Sequence, residues 1–247
     1  MHFFDLKDIA ERYMELLNPS SSEKVLKAGE IAGLGKGSRV IEFGCGFGEI
    51  LSLWGTAYGI SGVGIDIRQY ACDRAKKKMK DRGLDSSIEI VCGKGEEYDF
   101  KKGSYDVAAC IGSSFVFGGY RETIRGMKSA TVDGGNMVIG EAYWKSGLVP
   151  SEYARGESYD FHTELKLWQI TREEGFDIQY ILRASLDDWD RYMSDNWYGL
   201  TRWIKENPGH PERGQVIDFL HQDQEEYFRY IREYLNWAIY VLVPVSY

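Results

Sequence analysis

The nine residues Val40 to Gly48, Val-Ile-Glu-Phe-Gly-Cys-Gly-Phe-Gly, constrain this chain more than any other stretch, because they join an apolar strand, a carboxylate and three alternating glycines. Gly44, Gly46 and Gly48 free the turn after the strand from Cβ clashes, so positive φ angles are cheap and bare backbone can lie against a ligand. Glu42 stands just before that turn, at the carboxyl end of a strand, where open α/β sheets place their ligands. The spacing suits a nucleotide-like ligand but not a dinucleotide. A G-x-G-x-x-G run would need glycine at position 49, where Glu49 stands close to a helix start and would repel a pyrophosphate.

Val63-Gly64-Ile65-Asp66 is a second anchor, lying about 20 residues beyond the loop, the distance at which a βαβ unit brings in its next strand. Asp66 is then placed to hold ribose hydroxyls. Taken singly, a glycine turn or a strand-end acid is an ordinary turn or cap feature. In this register the two define one ligand cradle.

In these residues the chain resembles the class I S-adenosylmethionine-dependent methyltransferases, and among them the bacterial small-molecule type. The resemblance runs from Asn18-Pro19 through Asp188 to Tyr192 and the last strand, with Glu42 to Gly48 and Asp66 as its specific parts. It implies S-adenosyl-L-methionine as cofactor, with Gly44, Cys45, Gly46 and Gly48 beneath the methionine part, Asp66 on the ribose and Ile67 against the adenine. Glu42 would welcome the amino group of the methionine part. After the third strand such enzymes have an acid followed by a small residue at the adenine. Here Lys94 takes the acid's place, leaving the Gly95 amide to meet the ring and Glu96 as a substitute carboxylate. Read without the resemblance, Lys94-Gly95 is simply a turn. Ile111-Gly112-Ser113, after the fourth strand, is expected to approach the methionine part through its backbone. The implied fold is a Rossmann-like α/β domain: a seven-stranded, mostly parallel sheet of order 3-2-1-4-5-7-6 with an antiparallel last strand and helices on both faces.

Composition sets the bounds. At 247 residues the chain can bury one large core, and residues 1–247 are expected to form a single methyltransferase domain. Within it we read N-terminal helices over 1–35, a cofactor-binding core over 36–144 and a substrate-side half over 145–247. A net charge of −8 and a pI near 5.2 argue against a nucleic-acid partner, which would need clustered Lys and Arg. The one basic run, Lys76 to Lys78 with Lys80, shares a helix with the apolar stripe Ala71, Cys72, Ala75 and Met79 and reads as a solvated outer face. Four separated cysteines suggest neither a metal site nor a disulfide framework. With no secretory pattern at Met1 to Asp5 and no apolar run of the ~18 residues that crossing a bilayer requires, a cytoplasmic protein without a membrane partner is expected.

Alternating strands (39–43, 62–66, 88–92, 105–111, 136–142) and helices (48–58, 69–82, 119–131) predict a parallel sheet covered on both faces. Two helices, 5–17 and 22–34, precede them, the second opened by a Ser20–Glu23 capping box. Lys145 to His162 reads as a long surface loop of the kind that often forms a lid. A helix (163–174) and a strand (176–184) follow, and helical segments 187–206 and 211–233 separate that strand from a last one, 236–243. The helical insertion, about 187–233, is either a cap over the substrate or a packing layer.

Methyl transfer from a sulfonium is an in-line displacement, so alignment and water exclusion are the main tasks and a base is optional. At the end of the fifth strand, Glu141 and Tyr143 are the catalytic candidates, and Tyr143, Trp144 and Trp197 are candidate substrate contacts. Trp189, Tyr192, Tyr198 and Trp203 could join a cation cage, or pack helices. His162 and His221 lack spaced partners, and Ser113-Ser114 lacks a hydrolase elbow. The expected activity is methyl transfer to a small-molecule acceptor. A non-catalytic S-adenosylmethionine-binding or regulatory protein is the alternative, and a nicotinamide oxidoreductase is disfavoured by the glycine spacing.

Overall fold

The computed structural model describes residues 1–151, 153 and 161–245. Seven strands, β1 (Arg39–Phe43), β2 (Ser61–Asp66), β3 (Ile88–Cys92), β4 (Tyr105–Ile111), β5 (Thr131–Trp144), β6 (Phe176–Arg183) and β7 (Leu235–Pro244), form one sheet of order β3-β2-β1-β4-β5-β7-β6. Strands β1 to β5 pair in parallel, and β7 runs antiparallel to both β5 and β6. The Rossmann-like order expected from the resemblance is therefore the observed one. Chain direction across the sheet reverses between β1 and β4, and that switch point leaves a crevice at the strands' carboxyl ends.

Helices α1 (Phe3–Ala10), α2 (Ser22–Ile31), α3 (Glu49–Tyr58), α4 (Gln69–Asp81), α5 (Tyr120–Ala130) and α6 (Glu164–Glu173) surround the sheet, and α7 (Leu186–Glu206) and α8 (Arg213–Glu226) fill the interval between β6 and β7. Successive strand residues point to opposite faces, which splits the core in two. On one face Val40, Val107 and Val138 meet Val25, Trp54 and Met79; on the other Ile41, Phe43 and Ile139 meet Ile124, Met127 and Ile170. Because both faces are covered, Val40 to Phe43 are all buried. A third, small core joins Ala10 of α1 to Leu200, Val216 and Leu220, so α7 and α8 pack on α1.

Element ends depart from expectation where tertiary bonds compete with local ones. Helix α1 stops at Ala10 rather than 17, because the carbonyls of Glu11, Arg12 and Met14 are taken by the Arg74 guanidinium at 3.4, 3.0 and 3.0 Å. The cap of α2 is Ser21, whose hydroxyl accepts from the Lys24 amide; Ser20 is one residue too early. The last helical stretch relaxes into a π turn at Tyr227–Ile231. Residues 152 and 154–160 of the expected loop Lys145 to His162, and the lid reading with them, lie outside the described residues. Among the described residues no helix is long and apolar enough to cross a membrane, and no cluster of metal-ligating side chains occurs.

Candidate functional site

The carboxyl ends of β1, β2 and β4 open on a cavity of about 450 Å3. Of the residues expected at a cofactor, Glu42, Gly44, Cys45, Gly46, Asp66, Ile67, Lys94, Gly95, Glu96, Ile111 and Gly112 lie in its wall. Gly48 does not. Its left-handed φ of 68° starts α3, and an added Cβ would stand 2.9 Å from Met79 Cε, so it serves the packing of α3 on α4.

Hydrogen bonds join the two sequence motifs physically. The amides of Gly44 and Cys45 both donate to the Ile65 carbonyl, at 2.8 and 3.0 Å, which draws the glycine turn onto the end of β2. Asp66 then accepts the Gly46 amide at 2.8 Å on one oxygen and the Arg68 amide at 2.9 Å on the other. Gly44 has φ +71°, and a Cβ there would fall against the Ser113 side chain. Any larger residue would spoil both the turn and its contact with the end of β4.

Glu42 is the odd group of this wall. It is 1% exposed, and its Oε2 has no hydrogen-bond partner. Burial, and then the charge of Asp66, push its carboxyl well above the usual range. Glu49 is buried too but neutralised, with Lys78 at 2.5 Å and Arg82 at 3.2 Å. Lys78 also pairs with Glu15, so it turns inward while Lys76, Lys77 and Lys80 face solvent; the expected solvated run is broken at that residue.

A second wall is helical, and of its residues only Tyr192 stands among the candidates read from the sequence. It comes from α1, from the connection to α2 and from Tyr192 of α7. Glu11 holds Lys7 at 3.1 Å and Arg68 at 2.7 Å, which ties α1 to the turn after β2. Burial opposes the Lys7 charge, but Tyr192 and Glu11 outweigh it and hold the ammonium's pKa high. Asn18 is 4% exposed, its Oδ1 unpartnered, and its main-chain carbonyl is fixed by Arg191 at 3.0 Å. The rings of Phe3, Phe4 and Phe115 are more than half exposed or nearly so, at 62%, 50% and 66%, and line the same cavity. The sequence signals that touch this wall are Asn18-Pro19, where the resemblance begins, and Tyr192 among the cage candidates.

The remaining candidates lie outside the cavity wall. Glu141 is buried with its carboxylate bonded to the Ser114 hydroxyl and the Ala142 amide, and Tyr143 lies on that same face of β5, beside Glu164 and Arg183. Trp144 points to the opposite face and packs edge-on against Tyr153 and Phe161. Trp197 donates to Asp223 at 2.7 Å and packs on Tyr227. Strand alternation separates Glu141 and Tyr143 from Trp144, and none of the three lines the cavity.

Residues 40–135 match a family model described as a methyltransferase domain. A solved S-adenosylmethionine-dependent methyltransferase from Geobacter sulfurreducens, in complex with S-adenosyl-L-homocysteine, is 31% identical, covers 98% of both chains and superposes with a TM-score of 0.91. A second from Thiobacillus denitrificans, with the same ligand, is 29% identical over 99% of this chain and 100% of its own, again with a TM-score of 0.91. The uncharacterized protein YjhP of Escherichia coli strain K12 is 28% identical over 95% of this chain and 96% of its own length.

Proposed function

This chain belongs to the S-adenosylmethionine-dependent methyltransferases, and from that premise we propose that it methylates a small-molecule acceptor by in-line displacement within the cavity at the ends of β1, β2 and β4. The observation that carries the reading is the unpartnered, buried Glu42 oxygen in that wall, an acceptor waiting for a cationic donor. It fits the amino group of the cofactor's methionine part. Asp66 fits the ribose, since each of its oxygens, after accepting one backbone amide, keeps a lone pair for a hydroxyl. Gly44, Cys45 and Gly46 offer bare backbone to the methionine part, Gly95 a buried amide at the adenine edge, and Ile67, 51% exposed, an apolar face for the ring.

When bound, S-adenosylmethionine supplies a methyl group on a sulfonium, a leaving group good enough that no residue need polarise the bond. The chain's own task is then to fix the angle of attack and exclude water. Helix α1, tied down through Glu11 and Arg68, closes the side of the cavity away from the sheet. A volume of about 450 Å3 shared by cofactor and acceptor leaves room for a small molecule, and a net charge of −8 disfavours polyanions.

Calorimetric titration with S-adenosylmethionine and S-adenosylhomocysteine tests the site. Both are expected to bind, and Asp66→Ala to weaken binding at least about tenfold through loss of charge-assisted hydrogen bonds. A labelled-methyl assay against fractionated metabolites, peptides and nucleic acid tests the acceptor class. Label confined to the polymer fractions would overturn the small-molecule reading.

A further inference from the structure

The helical wall of the cavity carries groups for which a cofactor held on the sheet-side wall has no evident use, and their chemistry is selective. Asn18 Oδ1 is buried without a donor, although Arg191 fixes the main chain on which it stands. An acceptor left unpaired at depth is costly, and is retained where a ligand's N–H or O–H completes it. The Asn18 side chain also abuts the end of β4, its Cβ 3.6 Å from where a Cβ on Gly112 would lie. It stands where the two walls meet.

Charge narrows the ligand further. Each cation in the wall is already held by a carboxylate: Lys7 and Arg68 by Glu11, and Lys94 by Glu97 at 2.7 Å. An anionic acceptor would find no unpaired cation among the described lining side chains. The exposed rings of Phe3, Phe4 and Phe115 offer apolar surface and π faces, which attract an ammonium and an aryl or alkyl body alike. The carboxylates of the helical wall, Glu11 and Glu15, are engaged in ion pairs, so among the described residues that wall offers no idle carboxylate to strip a proton from an alcohol.

We propose that the methyl acceptor is an amine with an apolar body, received on the helical wall with Asn18 accepting its N–H and the Phe3, Phe4 and Phe115 rings covering its body. This rests on the reading that the sheet-side wall holds S-adenosylmethionine. The amine reacts as its free base. Its nitrogen lone pair forms the new N–C bond as the methyl C–S bond breaks, the C–S electron pair stays on sulfur as a neutral thioether, and the extra proton of the methylated ammonium leaves to water.

The test uses phenethylamine and phenylacetate, which share a ring and a short chain but end in opposite charge, titrated into protein saturated with S-adenosylhomocysteine. Phenethylamine is expected to bind at least about tenfold more tightly than phenylacetate. Asn18→Leu should weaken phenethylamine by a similar factor while leaving S-adenosylhomocysteine affinity within about twofold, and Asn18→Asp should keep the amine bound. Absent phenethylamine binding, equal or tighter phenylacetate binding, or loss of the amine in Asn18→Asp overturns the proposal. So does an equal loss of S-adenosylhomocysteine affinity in Asn18→Leu, which would give Asn18 to the cofactor. Failure of S-adenosylhomocysteine to bind the unaltered protein is a different result and removes the cofactor reading itself.

Discussion

Glu42 and Asp66 are two acids at one strand-end crevice, and they are held differently. Asp66 is anchored by two backbone amides, whereas Glu42 keeps an oxygen with no partner and a carboxyl whose pKa is raised by burial and by Asp66. A cation arriving beside a carboxyl whose pKa burial has raised lowers that pKa again. Binding of S-adenosylhomocysteine is therefore expected to release protons, so that its calorimetric heat changes with the ionisation enthalpy of the buffer. Glu42→Gln should abolish that dependence. The sign for stability follows from the same shift. Because the folded state binds the proton more tightly than the unfolded one, this group's contribution is full below the ordinary carboxylate range and declines as pH rises towards the folded pKa. Both acids were legible in the sequence from their distance to the glycines. That Glu42 Oε2 has no hydrogen-bond partner among the described residues was not, because it depends on what other elements bring near it.

Among the elements, the least regular matters most to the site. Residues 11–17 leave the helix because Arg74 of α4 draws off three of their carbonyls, and its guanidinium lies 3.8 Å from the Phe47 ring centre. One side chain thereby fixes the connection to the loop after β1 and sets where Leu16, Leu17 and Asn18 meet the cavity. Arg74→Ala is expected to cost about 2 kcal/mol and to speed amide exchange across 11–17. Arg74→Lys should not restore it, since an ammonium lacks the planar fork that serves several carbonyls at once. Unchanged exchange in either variant would show that the connection is held by other contacts. Sequence periodicity read this stretch as helix, and its residue types do favour one. What it lacked was the knowledge that α4 lies alongside.

At the scale of the molecule, the cavity is assembled from both ends of the chain: the sheet supplies one wall, and α1 and α7 the other. Ligand filling should therefore tighten the whole. At a concentration about 100 times its Kd, S-adenosylhomocysteine adds about 2.7 kcal/mol, which for a chain of this size is a rise in Tm of roughly 5–10 °C. Scanning calorimetry checks this, and a cooperative transition that ligand shifts as one unit is the expected form. A shift confined to a separate early transition would mean that the helical wall melts independently of the sheet.

What the sequence determined by itself was the local chemistry of the strand ends: Glu42, the bare glycine turn and Asp66 in one βαβ register, and with them the sheet order that the resemblance implied. The motif is set by a spacing of twenty residues or so, within which chain connectivity leaves little freedom, whereas the sheet order came from the resemblance alone. Only the tertiary structure decided which face Glu141, Tyr143 and Trp144 take, that α1 and Asn18 complete the cavity, and that Trp197 bonds Asp223 and packs on Tyr227. These depend on contacts between separate elements, from Ser114 with Glu141 to Arg191 with Asn18 at more than a hundred positions apart, and no period or motif in the chain records them.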